Sequence, residues 1–138
     1  MAEKQYKIGE FSRKVNLSSF TLRYYEDEGL IKTRRNQNGQ RFYGEQDVKW
    51  LKFLLHLKGT GMTMAELKQY VAWRAQGDAT IQQRIKLLRR VKQDAEDQIR
   101  ELENNLAIVN HKIDWYSGKL DETINADEDF EQYLKKFE

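Results

Sequence analysis

The chain segment SSFTLRYYEDEG, residues 18–29, carries side chains that suit contacts with nucleic acid. Arginine can bind base edges or phosphates, and the hydroxyls of serine, threonine and tyrosine can bind phosphate oxygens. In a helix these side chains lie within about two turns of one another. The segment therefore predicts a helix that enters the major groove of DNA. Its candidate contact residues are Ser18, Thr21, Arg23, Tyr24 and Tyr25.

One of these residues, Tyr25, has a second interpretation. It lies three residues after Leu22, so the two side chains share one face of a helix. A tyrosine beside a leucine also suits a buried position, with only its hydroxyl in contact with water. The sequence leaves both interpretations of Tyr25 open.

A recognition helix must be positioned by a neighbouring element, and a preceding short helix meets this need. The apolar residues at helical spacing upstream are Ile8, Phe11 and Val15. Asn16 tolerates the left-handed conformation in which helices end, Ser18 can cap the second helix, and Gly29 can end it. We therefore expect a helix-turn-helix over about residues 8–28.

The next segment predicts a β-hairpin. Asn38-Gly39 is typical of a type I′ turn, in which both residues have positive φ. Strands are expected near residues 31–35 and 41–43, and a hairpin beside a helix-turn-helix is a wing. Arginine is well suited to phosphate, so the hairpin predicts contacts with the DNA backbone. The candidate residues are Arg34, Arg35, Arg41 and Tyr43, with Lys58 farther along the chain.

Two supporting helices are expected over about residues 44–77. Gly44 can cap the first of them, and Thr63 with Glu66 forms a capping-box pattern that opens the second, which ends at Gly77. The expected buried stripe of the first comprises Val48, Leu51, Phe53, Leu54 and Leu55. Residues 1–77 are therefore assigned to a winged helix-turn-helix domain.

From residue 81 onward, side chains recur in alternating steps of four and three, which is typical of a coiled coil. The recurring residues are Ile81, Ile85, Leu88, Lys92, Ala95, Ile99, Leu102, Leu106, Val109, Ile113, Tyr116 and Leu120. We call this set the seam. A single helix of about 40 residues, roughly 60 Å long, would leave the seam in water, which favours pairing with a second copy.

Residues 78–120 are thus a candidate dimerisation helix, with Ile85, Leu88, Ile99, Leu102, Leu106, Val109 and Ile113 at the interface. The alternative is that the helix folds back on its own domain. Lys92 either fixes the register of the pair or extends its ammonium group into water. The acidic tail, residues 121–138, either forms a short amphipathic helix on the dimer or is mobile.

Composition narrows the functional classes. Residues 1–76 contain 14 Lys and Arg against 8 Asp and Glu, whereas residues 77–138 contain 10 against 14. The first part has a net charge of +6, which suits a phosphate-binding surface, although a solvated basic face has the same composition. With no cysteine and two histidines, no metal site or cofactor is expected. No glycine-rich phosphate loop and no nucleophile with a base is found, so no enzyme is expected.

No segment has the roughly 18 apolar residues of a membrane span, so a cytoplasmic protein with no membrane partner is expected. A coiled-coil adaptor would explain the seam but not the basic hairpin or the tyrosine pair. A winged helix that binds RNA is a further alternative, distinguished by a preference for single strands or RNA hairpins.

Three segments resemble the MerR-type transcriptional regulators: IGEFSRKVNLSSFTLRYYEDEGLI, NGQRFY and LKGTGMTMAELKQYV. The resemblance extends to about residue 120. It implies a mainly α fold, with an N-terminal winged helix-turn-helix and a long helix that forms an antiparallel coiled-coil homodimer. It also implies a pseudo-palindromic promoter site, activation or repression by bending and untwisting double-stranded DNA, and RNA polymerase as a partner on the same promoter.

The chain departs from the family pattern at several positions. Thr33 stands where a proline is common, and Gln40 stands where an aromatic residue precedes the wing arginine. The segments LKFLLHLKGTGM and QGDATIQQRIKLL resemble the aldehyde- or electrophile-responsive branch, whose usual cysteine position is held here by His56. Thiolate capture is therefore excluded. His56 either senses pH or a polar ligand, or simply lies on the flank of its helix; the resemblance identifies no small-molecule effector.

Overall fold

A computed structural model of the protein describes residues 4–138. The helices are α1 (Ile8–Val15), α2 (Ser19–Asp27), α3 (Glu45–Gly59), α4 (Met64–Ala75), α5 (Ile81–Leu120) and α6 (Phe130–Leu134). The strands are β1 (Arg34–Arg35) and β2 (Arg41–Phe42), and short 3-10 segments occupy Gly77–Thr80 and Lys135–Phe137. The described residues up to Asp94 form one compact unit, and Ala95–Glu138 form a second. The mainly α fold with a winged helix-turn-helix and a long C-terminal helix is confirmed.

The ends of α1 and α2 are set by local sequence signals. Asn16, with φ 56°, ends α1 in the left-handed conformation. The hydroxyl of Ser18 accepts a hydrogen bond from the amide of Thr21 at 3.1 Å and so caps α2. Gly29, with φ 79°, follows the end of α2, and Leu30 turns into the core. The predicted helix-turn-helix is thus confirmed, with its turn at Asn16 and Ser18.

The core of the first unit is built on the stacked rings of Phe11 and Tyr43, whose centroids are 4.2 Å apart and whose planes differ by 6°. The backbone of Tyr43 pairs with that of Tyr6 through hydrogen bonds of 2.9 and 2.7 Å. This pairing joins the start of the chain to the end of the hairpin. Other buried members are Val15, Leu22, Tyr25, Leu30, Ile31, Val48, Leu51, Leu54, Leu57, Met62, Leu67 and Tyr70.

The hairpin is shorter than predicted. β1 and β2 pair antiparallel, with Arg34 opposite Phe42 and Arg35 opposite Arg41. The first strand begins at Arg34 and not at residue 31, and Ile31 is part of the core. On the other side, the ladder ends because the backbone of the residue after Phe42 pairs with the N-terminal segment instead of β1.

The type I′ turn predicted at Asn38-Gly39 is wrong. Gly39 has φ 73°, but Asn38 does not have the positive φ that this turn requires. Instead, the amide of Gly39 donates to the carbonyl oxygen of Asn36 at 3.0 Å. The side-chain oxygen of Asn36 also accepts from the amides of Asn38 and Gln40, both at 3.0 Å. A longer turn, held by the asparagine side chain, therefore connects the strands.

The buried stripe of α3 differs from the prediction at one position. Val48, Leu51 and Leu54 are buried as expected, and Leu57 continues the stripe. Phe53 is exposed, because two residues along a helix place it about 200° around the axis from Leu51. Its ring lies at the edge of an aromatic cluster with Trp50 and Tyr70 instead of in the core.

The capping box of α4 is confirmed. The hydroxyl of Thr63 accepts from the amide of Glu66, and the carboxylate of Glu66 accepts from the amide of Thr63, each at 3.1 Å. Gly77, with φ 76°, begins the 3-10 segment that leads into α5. The first turns of α5 complete the core through Leu87 and Val91. The first compact unit consequently extends beyond the domain boundary expected at residue 77.

In the second unit, the acidic tail packs on the last turns of α5. The amide of Ile124 donates to the carbonyl oxygen of Gly118 at 3.1 Å. The indole of Trp115 donates to the carbonyl oxygen of Glu128 at 3.2 Å and lies 5.6 Å from the ring of Phe130. Of the two alternatives for the tail, the structure forms a short helix, and it lies on α5 of the same chain.

None of the helices within residues 4–138 combines the length and the hydrophobicity of a membrane span.

The close approach of Ile124 to Gly118 generates a stability prediction. A Cβ at Gly118 would lie 2.6 Å from Cγ1 of Ile124, whereas a Cβ at Gly59, the last residue of α3, would meet no atom within 4 Å. Gly59→Ala should therefore stabilise the protein by about 0.5 kcal/mol through helix propensity. Gly118→Ala should displace Ile124 and expose the amides of α6, as measured by hydrogen exchange. Unchanged protection of α6 in Gly118→Ala would contradict this packing.

Candidate nucleic-acid interface

The two sides of α2 differ in burial. Leu22 and Tyr25 face the core, whereas Phe20, Arg23 and Tyr24 are exposed. Residues three and four positions apart share a helix face, so the three exposed side chains form one surface. We call Phe20, Arg23 and Tyr24 the outward face of α2. This surface presents a cation, a phenol and an apolar ring side by side.

Arg23 is the cation of the outward face. Its guanidinium makes no hydrogen bond or ion pair with any residue in the described range 4–138. An arginine without an internal partner keeps all five N–H donors for an external acceptor. Arg23 is therefore available for base edges or phosphates, as the sequence predicted.

Ser18 and Thr21 occupy the start of α2 in a different role. The hydroxyl of Ser18 donates to the hydroxyl of Thr21 at 2.9 Å and also caps the helix. Both side chains thus have internal partners that fix the entry of the chain into α2. Any contact of these hydroxyls with phosphate would be made in addition to the cap.

The tyrosine pair divides between surface and core. Tyr24 is exposed, and its ring lies 5.9 Å from that of Tyr25. Tyr25 is buried, and its hydroxyl accepts a hydrogen bond from the ammonium of Lys58 at 2.8 Å. Of the two interpretations of Tyr25, the structure therefore supports the core position. Lys58 is in turn fixed at the surface beside α2, although it comes from the far end of α3.

The wing arginines have partners of three kinds. The guanidinium of Arg34 lies 2.8 Å from the carboxylate of Asp47 and 4.8 Å from the ring of Phe42. Arg35 donates to the carbonyl oxygen of Gly39 at 2.8 Å, so it braces the turn. Arg41 is half-buried, with its Nε 3.8 Å from the carboxylate of Glu26 on α2. Arg35 is therefore the wing arginine with no carboxylate partner in the described part of the chain.

Tyr43 was expected at the DNA surface, and the structure places it in the core. Its side chain is 1% exposed, because it stacks on Phe11. Burial raises the pKa of its hydroxyl above the usual value of tyrosine. Tyr43 therefore positions the hairpin and is not a surface contact residue. Its alternation with Phe42 along the strand is compatible with either face, so the sequence did not reveal this.

His56, the possible sensing position, is exposed on α3. Its imidazole makes no hydrogen bond, ion pair or ring contact with the described residues. Its position agrees with the flank of the helix, and its role in sensing stays a prediction. Within residues 4–138, no group of three or more His, Asp and Glu side chains is arranged to hold a metal ion.

The seam of α5 is exposed along most of its length. The exposed members include Ile81, Ile85, Ile99, Leu102, Leu106, Val109, Ile113, Tyr116 and Leu120. Leu88 is partly buried against the first unit. At its start, α5 packs on that unit through Leu87 and Val91. The choice between pairing with a second copy and folding back on the same domain stays a prediction. On α2, Phe20 is exposed but was not among the contact residues expected from the sequence. Its spacing of two residues from the buried Leu22 indicated that it faces away from the core.

Comparisons with known proteins agree with this architecture. The family model described as MerR HTH family regulatory protein matches residues 6–72, and that described as MerR, DNA binding matches residues 48–111. The uncharacterised HTH-type transcriptional regulator YyaN of Bacillus subtilis is 33% identical over 132 residues, which are 86% of this chain and 96% of YyaN.

Solved structures extend the similarity to three dimensions. HiNmlR, a MerR family regulator lacking the sensor domain and bound to promoter DNA, is 31% identical with a TM-score of 0.76, covering 85% of this chain and 90% of that one. A MerR family regulator from Bacillus thuringiensis is 34% identical with a TM-score of 0.71, covering 82% of this chain and all of that one. Such relatives are transcriptional regulators, a non-enzymatic class. With its winged helix-turn-helix and long C-terminal helix, this chain belongs to the MerR family of transcriptional regulators.

Proposed function

We propose that the protein binds a pseudo-palindromic site in promoter DNA as a homodimer and changes transcription by distorting that DNA. The observation that carries the proposal is the outward face of α2, where Arg23 has no partner among residues 4–138 and lies beside the exposed Tyr24. The structure of HiNmlR bound to promoter DNA supports it, since that regulator shares this fold.

The roles of the contact residues follow from their surroundings. Arg23 reads base edges, because its available guanidinium can donate two hydrogen bonds to one guanine. Tyr24, Arg35 and Lys58 contact phosphates on either side of the groove. Arg34 also reaches phosphate, since its ion pair with Asp47 is partly exposed and such pairs are weak in water.

The dimer forms along the seam of α5. In the second unit the tail packs around Trp115 and Gly118, whereas the seam residue Ile113 is exposed. Trp115 lies about 200° around the helix from Ile113, so the tail leaves the seam uncovered. Pairing of two seams would remove an apolar stripe from water, and the family resemblance favours an antiparallel arrangement.

A twofold dimer places two recognition helices on two half-sites, roughly one or two turns of DNA apart. Bending and untwisting the intervening DNA costs on the order of 1–10 kcal/mol, which the phosphate contacts must supply. This distortion would realign promoter elements for RNA polymerase bound at the same promoter. The protein would act as an activator when that alignment improves and as a repressor otherwise.

The first test is the selection of bound duplexes from a random DNA pool by the purified protein at a stated salt concentration. We expect a site with dyad symmetry, and footprinting should show hypersensitive cleavage at its centre where the DNA is distorted. Enrichment of single-stranded or hairpin RNA in a parallel selection, with no duplex enriched, would contradict the proposal.

The roles of two arginines can be separated on the selected site. Arg23→Ala should reduce discrimination between the site and a mismatched duplex by about 1–3 kcal/mol, because a base contact is lost. Arg35→Ala should weaken binding to both duplexes equally. It should also reduce the slope of log K against log salt concentration by about one. Binding titrations at several salt concentrations measure both effects. Unchanged discrimination in Arg23→Ala would show that α2 does not read the bases through this side chain.

The dimer interface has a matched control. Leu106 on the seam and Ile108 off the seam are 52% and 50% exposed in the single chain. Leu102→Glu with Leu106→Glu should give monomers, because buried charges would face each other across the seam. Ile108→Glu should leave the dimer intact. Sedimentation or light scattering gives the mass, and a dimer that survives the seam substitutions would refute this interface.

A further inference from the structure

Phe20 is unusually exposed for an apolar side chain in a folded unit. It lies in the first turn of α2 and is 82% exposed, whereas the next most exposed large apolar side chain described in the first unit, Tyr24, is 45% exposed. The ring of Phe20 makes no ring or cation contact with another described residue. Because it buries little area, it contributes little to the stability of this unit.

The position of Phe20 on α2 indicates which surface its exposed ring would contact. It shares the outward face with Arg23 and Tyr24, and Asp27 lies at the other end of that face. A carboxylate is repelled by phosphates, so the end of α2 that carries Asp27 is the less suited to approach DNA. The N-terminal end, with Phe20 and Arg23, is therefore the end that enters the groove, as in other helix-turn-helix proteins.

The chemistry of the phenyl ring restricts what it can recognise there. Phenylalanine has no hydrogen-bond donor or acceptor, so it cannot read the polar groups of the base edges. The apolar group that B-DNA presents in the major groove is the 5-methyl group of thymine, and phenylalanine is among the side chains that contact it. The structure thus places the phenyl ring of Phe20 next to Arg23, the arginine that is available for base edges.

We propose that Phe20 is a specificity-determining residue that contacts the 5-methyl group of one thymine in each half-site, a role that rests on the proposed DNA binding. Arg23 and Phe20 then read neighbouring positions, one through hydrogen bonds and the other through apolar contact. A different use of the ring, insertion between base pairs, would unstack the bases and would not depend on the thymine methyl group.

The test removes the methyl group without changing base pairing. Each thymine in one half-site of the selected duplex is replaced singly by uracil, and binding is measured for the wild-type protein, Phe20→Ala and Phe20→Leu. At one position, the wild type should bind about fourfold more weakly to the uracil duplex, the effect of losing one buried methyl group. Phe20→Ala should bind the thymine duplex more weakly and should not distinguish it from the uracil duplex. Phe20→Leu should keep part of the preference.

Phe53→Ala is the matched control, because Phe53 is also an exposed phenylalanine but lies on α3. It should retain the full uracil effect. The melting temperature of Phe20→Ala should match the wild type, because Phe20 buries little area. The proposal is overturned if the wild type shows no uracil effect at any thymine, or if Phe20→Ala keeps that effect. Failure of the wild type to bind any duplex would refute the proposed function itself, before Phe20 is changed.

Discussion

The burial of Tyr43 is the constraint on which the first unit depends. Its ring stacks on Phe11 of α1, while its backbone pairs with Tyr6 at the start of the described chain. The N-terminal stretch that contains Tyr6 and Phe11 therefore meets the end of the hairpin at one residue. β2 immediately precedes Tyr43, so the position of the wing relative to α1 follows from this contact. α1 in turn holds α2 through the tight turn at Asn16, where the hydroxyl of Ser12 donates to the carbonyl oxygen of Leu17.

The charges of the first unit are used in two ways. Several cations of this basic region have internal partners, such as Asp47 for Arg34 and the hydroxyl of Tyr25 for Lys58. These contacts orient long side chains at the surface without removing their charge, so they still attract phosphates over several ångströms. Arg23 differs, because its guanidinium has no partner in the described chain. In the proposed binding mode, general attraction and base discrimination therefore belong to different side chains.

The long helix α5 presents different faces to different neighbours. Leu87 and Val91 complete the core of the first unit, and Trp115 supports the tail in the second. The seam lies on a further face and is exposed in the single chain. A helix with a single apolar stripe would bury side chains on one face only. Here Leu87, Val91 and Trp115, which lie outside the seam, have their own partners within the chain.

Features that depend on neighbours along the chain could be predicted from the sequence. The end of α1, both ends of α2 and the start of α4 were predicted because capping side chains and left-handed residues act within a few positions of the backbone groups that they satisfy. α5 was predicted over the residues that it occupies because its periodic pattern runs without interruption. The family was also evident from motifs that these local elements carry.

The burial of individual side chains and the identity of their partners depend on contacts between distant parts of the chain. Periodicity placed Tyr24 and Tyr25 on one short helix, but the lysine that binds Tyr25 is 33 residues away. Tyr43 and Phe11 are likewise brought together by folding alone, and the turn at Asn38-Gly39 was decided by the side chain of Asn36. A local pattern specifies which residues share a face, whereas burial depends on the element that covers that face, and that element comes from elsewhere in the chain.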